Sequence, residues 1–233
     1  MSSAARSSKT SEARRRLRDF ASEERAAVNR RFFKDAGSDR WLGVSVPNLR
    51  IVTREFRELP RDEVLELLRS EWHEERLLAL LILVEQYKRE DSIYDLYLAN
   101  TKFINNWDLV DGSAPSIVGA HLFERSRAPL RKLAKSKSIW ERRIAIVATQ
   151  YFIRRGDFDD TLRIAEMLLG DREDLIHKAT GWMLREVGNR DRGVLEAFLD
   201  EHAHEMPRTM LRYAIEKFPD ALRKKYLKRR ADL

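Results

Sequence analysis

The sequence predicts an all-α protein, and three observations carry that prediction. From Pro47 to the C-terminus the apolar residues recur at helical spacing, with no sustained strand alternation. Nine glycines and six prolines in 233 residues are too few for a sheet protein dense in turns. Similar helices also recur along the chain at a near-constant interval.

Taken in order, residues 1–10 are rich in Ser, Ala, Arg and Lys and are expected to form a disordered basic tail. Residues 11–233 are expected to form a single helical domain. A basic amphipathic helix is expected from about Glu12 to Phe33. The stretch 35-DAGSDRWLGVSVP-47 reads as a loop, with Pro47 suited to the first turn of the next helix. Punctuation then falls at Leu59-Pro60, Glu90-Asp91, Asp111-Gly112, Gly156-Asp157, Gly170-Asp171, Gly188-Asn189, Met206-Pro207 and Phe218-Pro219. The segments between are of ordinary helix length, about 10–18 residues.

Three of these helices align: 75-ERLLALLILVEQY-87, 142-RRIAIVATQYFIR-154 and 177-HKATGWMLREVG-188. Each opens on a basic residue, namely Arg76, Arg143 and Lys178. The last two are 35 apart and the first two 67 apart, nearly twice that step. A repeat is therefore expected to begin near residue 110, where the chain reads Val110-Asp111-Gly112-Ser113-Ala114. A two-helix repeat of this period suits an α-α superhelix, a solenoid of HEAT-like repeats whose equivalent positions line a concave basic face. Asp111 is then a carboxylate in a row of cations. Such a row suits phosphates, and a carboxylate within it repels them unless it has a task of its own.

Composition narrows the function classes. The chain is 43% hydrophobic and 36% charged, with a net charge of +7. The excess is concentrated at the ends, with nine Arg/Lys against four Asp/Glu in residues 1–31 and six against two in residues 220–233. A basic balance favours a polyanionic partner, most often nucleic acid. The absence of cysteine excludes disulfides, a thiol nucleophile and cysteine-ligated zinc. The five histidines show no ligand spacing, so no metal site is expected. No glycine-rich phosphate loop or serine nucleophile motif is present. The N-terminus shows no apolar leader, and the longest apolar run, Leu77 to Val84, is eight residues, so no signal peptide or membrane span is expected.

Four segments are more specific: 41-WLGVSVPNLR-50, 104-INNWDLVDGSAP-115, 139-IWERRIAIVATQYF-152 and 176-IHKATGWMLREVG-188. In their order and spacing the chain resembles the AlkD-type DNA alkylation-repair glycosylases, from about Phe32 to about Tyr226. The resemblance implies a monofunctional glycosylase that excises cationic N3- and N7-alkylated purines from duplex DNA without flipping the base. It places the active site on Trp107, Asp111 and Trp182, puts Arg143 on the DNA backbone, and makes Lys178, Arg185 and Arg142 further candidates for phosphate contact. One departure is visible on the N-terminal helix: a tyrosine expected there is matched here by Phe32, which lacks the hydroxyl. The implied partner is double-stranded DNA carrying alkylated bases, bound by a monomer that needs no cofactor, in the cytoplasm of a bacterial cell beside its nucleoid. Two other readings use the same fold, a non-catalytic binder of damaged or branched DNA and a protein-scaffolding solenoid. Neither gives Asp111 a task.

Overall fold

The computed structural model describes residues 8–33 and 39–229. Every regular element among them is helical; extended pairing is confined to one isolated bridge between Arg40 and Trp72. The chain's contacts divide it at Ser113 into two units.

The first unit contains α1 (Lys9–Arg18), α2 (Glu23–Phe32), α3 (Val46–Glu55), α4 (Arg61–Leu68), α5 (His73–Tyr87), α6 (Ile93–Ala99), a 3-10 turn at Thr101–Phe103 and α7 (Trp107–Asp111). Its centre is α5, which packs against α3, α4, α6 and α7. A helix enclosed on so many sides must be apolar almost all round, and HEERLLALLILVEQY is: Leu78, Ala79, Leu80, Ile82 and Leu83 are fully buried. Its four charged or ionisable opening residues, His73 to Arg76, are buried as well.

One expectation fails at the N-terminus. The helix placed from Glu12 to Phe33 is two helices, and the first begins earlier, at Lys9, with Ser8 as its cap. The break follows Arg18 because Ser22 serves two roles there. Its side chain caps α2 by accepting from Arg25 N, and its own N–H donates to Leu42 O at 3.0 Å. Residues 8–10 thus lie in or cap a helix, and residues 1–7 lie outside those described. Nor is α1 a free basic arm. Ala13 and Leu17 are fully buried, Arg14 bonds both Glu66 and Glu75, and Arg18 bonds Glu75.

The second unit contains a π-helical turn at Pro115–Gly119, then α8 (Ala120–Leu122), α9 (Ala128–Ala134), α10 (Ile139–Ala148), α11 (Gln150–Ile153), α12 (Asp159–Met167), α13 (Asp174–Gly188), α14 (Arg192–His202), α15 (Arg208–Ala214) and α16 (Asp220–Arg229). Here α10 packs on α9 and α13, and α13 packs on α14 and most extensively on α15. Gly181 permits that last approach. A Cβ there would lie 2.4 Å from Met210 O and 2.5 Å from the Tyr213 Cβ. In both units helices pair and stack on the next pair, the arrangement of an α-helical repeat protein.

A local device at the helix starts reveals the register of the repeat. The residue two before the N-cap accepts the N-cap N–H: Ser70 Oγ from Trp72 at 3.1 Å, Ser136 Oγ from Ser138 at 3.1 Å, and Asp171 Oδ1 from Glu173 at 2.9 Å. The backbone carbonyl of that same residue accepts from the side chain four past the cap. Arg76 reaches Ser70 O at 2.9 Å, Arg142 reaches Ser136 O at 3.0 Å, and His177 reaches Asp171 O at 2.6 Å. Arg76 therefore aligns with Arg142 and His177, one position short of the row expected from sequence. The fifth residue after the cap is Leu77 in α5, Asp111 in α7, Arg143 in α10, Lys178 in α13 and Arg212 in α15. Asp111 keeps its cationic counterparts, and Arg76 leaves the row.

Candidate active site and nucleic-acid interface

In the first unit α7 presents both residues singled out by the sequence. Asn106 caps this short helix by accepting from Trp107 N at 2.7 Å, which sets Trp107 at the first helical position. Asp111 follows four residues later, so the two share one face, both half-buried. Beneath that face the Tyr97 hydroxyl bonds Ser113 Oγ at 2.9 Å, and Ser113 in turn donates to Leu109 O at 2.6 Å. Tyr97 is fully buried. Its phenol is pushed well above the usual range, first by burial and further by the negative charge of Asp111, while the Ser113 bond opposes.

Trp107 stands in a ring cluster that sequence reasoning missed. Phe33 is stacked on it at 5.1 Å and 9°, and Phe32 meets it edge-on at 6.1 Å. Phe33 also stacks with Trp41 at 4.5 Å, and Trp41 with the His73 ring at 4.1 Å. Phe33 is thus the ring that forms the site wall, while its neighbour Phe32 is 68% exposed. Trp41 is placed by its loop. The buried Glu74 carboxylate accepts from Leu42 N at 2.9 Å and Gly43 N at 2.8 Å, and Gly43 takes a positive φ of 74° where a Cβ would strike Ser22 O.

His73 ties the cluster to α7. Its Nε2 lies 2.8 Å from Asp108 Oδ2 and its Nδ1 lies 3.0 Å from Asp39 Oδ2, and Asp39 also pairs with Arg76. Burial works to lower the imidazole pKa and the Arg76 charge adds to that, but the bonds to Asp108 and Asp39 outweigh both and hold it above its ordinary value. Burial would raise Asp39, yet His73 and Arg76 hold it below the usual carboxylate range. A cavity of about 160 Å³ opens beside these groups, lined by Arg25, Asn29, Phe33, Trp41, His73 and Asp108 among others. The available signal was the His-Glu-Glu-Arg run at the head of the most apolar helix, since buried charges require partners.

In the second unit α13 presents Lys178, Trp182 and Arg185, spaced so that one stripe of the helix carries all three. Each is partly exposed, while Gly181 and Met183 beside Trp182 are buried. Lys178 bonds Asp174 at 2.7 Å, and Arg185 pairs with Glu216. The two arginines of α10 are differently committed. Arg142 grips Asp171 at 2.6 Å and two backbone carbonyls, those of Ser136 and Lys137, each at 3.0 Å. Arg143 is 5% exposed and donates to Leu175 O at 2.7 Å. Sequence reasoning placed both on DNA phosphates; here the Arg142 guanidinium is held within the fold, and that of Arg143 supports α13.

The helical-repeat fold thus carries an aromatic-and-carboxylate face on one helix and a Lys-Trp-Arg stripe on another. Residues 13–218 match the family model described as DNA alkylation repair enzyme, and the chain belongs to that family. Among solved structures it is similar to the "Predicted DNA alkylation repair enzyme from Enterococcus faecalis", with a TM-score of 0.69 at 17% identity over 86% of this chain and 97% of that one. At that identity the likeness speaks for the fold. No curated protein matches the sequence. Among the described residues no helix is long and apolar enough to cross a membrane.

Proposed function

We propose that this protein is a monofunctional DNA glycosylase that removes cationic N3- and N7-alkylated purines from duplex DNA by hydrolysing the N-glycosidic bond while the lesion stays stacked. The observation that carries the reading is Asp111. A half-buried carboxylate stands one helical turn after Trp107, at a register position held by cations in α10, α13 and α15.

The chemistry suits one carboxylate. An alkylated purine with a positive charge is already a good leaving group and needs no general acid. As the glycosidic bond breaks, the base takes the bonding pair and becomes neutral, and positive charge builds on the deoxyribose. Asp111 stabilises that charge and orients the water that adds to C1′ and gives up a proton. Trp107, held flat against Phe33, and Trp182 supply indole faces for the cationic nucleotide, worth about 0.5–2 kcal/mol each. Lys178 and Arg185 are the proposed supports of the DNA backbone. Recognition without flipping rests on the charge of the lesion, which departs from the usual extrahelical pocket of base-processing enzymes.

The test is release of 7-methylguanine from methylated duplex DNA by wild type and Asp111→Asn in parallel. Wild type releases the base, and the variant binds duplex with similar affinity but excises on the order of 10²-fold more slowly or worse. Full activity in the variant removes Asp111 from the mechanism. Binding without release by wild type selects the non-catalytic DNA binder instead.

A further inference from the structure

The second unit carries a cavity that the glycosylase reading does not use. It encloses about 590 Å³ between α15 and α16 and is lined by Arg208, Arg212, Arg223, Thr209, Tyr213 and Glu216 among others. Three guanidinium groups thus border one opening, against a single carboxylate.

Three other arginines of this unit are already committed. Arg142, Arg127 and Arg190 are bound to carboxylates of their own fold. Among the described residues neither Arg208 nor Arg212 forms an ion pair or hydrogen bond through its side chain, and both are exposed. Arg223 has only a 3.4 Å contact with the exposed Asp220. The natural neutraliser of Arg212 is Glu216, four residues further along the chain. Arg185 of α13 draws the Glu216 Oε2 to itself, and Lys217 lies 3.5 Å from its Oε1. The one lining carboxylate is therefore already engaged. The second observation is one of register: Arg212 occupies in α15 the position that Lys178 occupies in α13, and those two helices pack directly together.

We propose that this cavity is a phosphodiester-binding site, in which Arg208 and Arg212 grip a backbone phosphate of duplex DNA and Arg223 closes on it from α16. Guanidinium forks match phosphate oxygens in a bidentate way, and unpaired exposed cations are the groups that release counterions on binding. Arg185 is a positioning residue here, because it keeps Glu216 off Arg212. The proposal rests on the reading of the chain as a DNA-handling protein, not on its chemistry.

The experiment measures binding of the full chain to undamaged duplex DNA as a function of salt, by fluorescence anisotropy. The double variant Arg208→Gln/Arg212→Gln is expected to bind on the order of tenfold more weakly at low salt. Its log K against log[salt] slope should be shallower by about 0.9 for each phosphate it no longer neutralises. Arg208→Lys/Arg212→Lys keeps the charge and should keep the slope, which separates removal of charge from damage to the fold. Unchanged affinity and slope in the Gln variant overturns the proposal. So does loss of inorganic phosphate binding with duplex affinity intact, which would make the cavity a small-anion site. Wild type that releases no base, while the Gln variant still binds duplex more weakly, defeats the glycosylase reading and leaves this one standing.

Discussion

Asp108 and Asp111 lie three residues apart on α7, yet the structure gives them different work. Asp108 is bonded to His73, and Asp111 shares its helix face with Trp107. The His73 link carries a pH prediction with a definite sign. Its imidazole pKa is raised in the fold, so its contribution to stability is complete below the unfolded value of about 6.5 and is lost as pH rises through the folded value. Asp39 is depressed, so its contribution holds above about 3.9 and is lost as pH falls through the folded value. The thermal midpoint of wild type should therefore fall as pH rises above about 6.5, and that of His73→Gln should stay nearly level. Equal pH profiles would take His73 out of the network. Asp39→Asn removes the charge that both His73 and Arg76 contact and should cost about 3 kcal/mol in urea unfolding, the usual cost of breaking a buried pair.

At the scale of elements, the close pair α13 and α15 determines how the second unit tolerates change. Alanine is a better helix former than glycine by about 1 kcal/mol, so on propensity alone Gly181→Ala should stabilise α13. The added methyl would sit 2.4 Å from Met210 O, and backbone cannot yield as a side-chain tip can. Overpacking of about 1–3 kcal/mol should win, and the thermal midpoint should drop. The same substitution at Gly170, where no atom lies within 4 Å, should be near neutral and serves as the control. Because α15 also carries Arg212, Gly181→Ala should weaken duplex binding alongside stability.

For the whole molecule, the net charge of +7 overstates the surface available to DNA. Arg14, Arg16, Arg18, Arg127 and Arg142 are each matched to carboxylates, and Arg143 is buried. Duplex affinity should thus depend on a small set of partly exposed cations, with a shallower salt slope than the count of 45 basic residues suggests. The substrate profile belongs to this scale too. Recognition by lesion charge, without an enclosing base pocket, should permit bulky cationic adducts and give slow removal of neutral deaminated bases. Release of such neutral bases with none of 7-methylguanine would defeat the proposed mechanism.

The sequence by itself determined what is local. Helical periodicity follows from residues three and four apart, so the all-α class, most breaks and the shared face of Trp107 and Asp111 were all legible. The four quoted segments pointed to the DNA alkylation repair family for the same reason: short runs keep their residue types together. What only the tertiary structure decided is partnership across long separations. His73 meets Asp108 from 35 residues away, Arg76 meets Asp39 from 37 and Arg14 meets Glu75 from 61. Arg142 and Arg143 are adjacent and chemically identical, yet one step along a helix turns a side chain by about 100° and gives it different neighbours; Phe32 and Phe33 part company where α2 ends. The same single step moved Arg76 out of the cationic row. Whether a charge serves the fold or stays open to a phosphate depends on the groups that packing brings beside it, and those lie outside the reach of any sequence pattern.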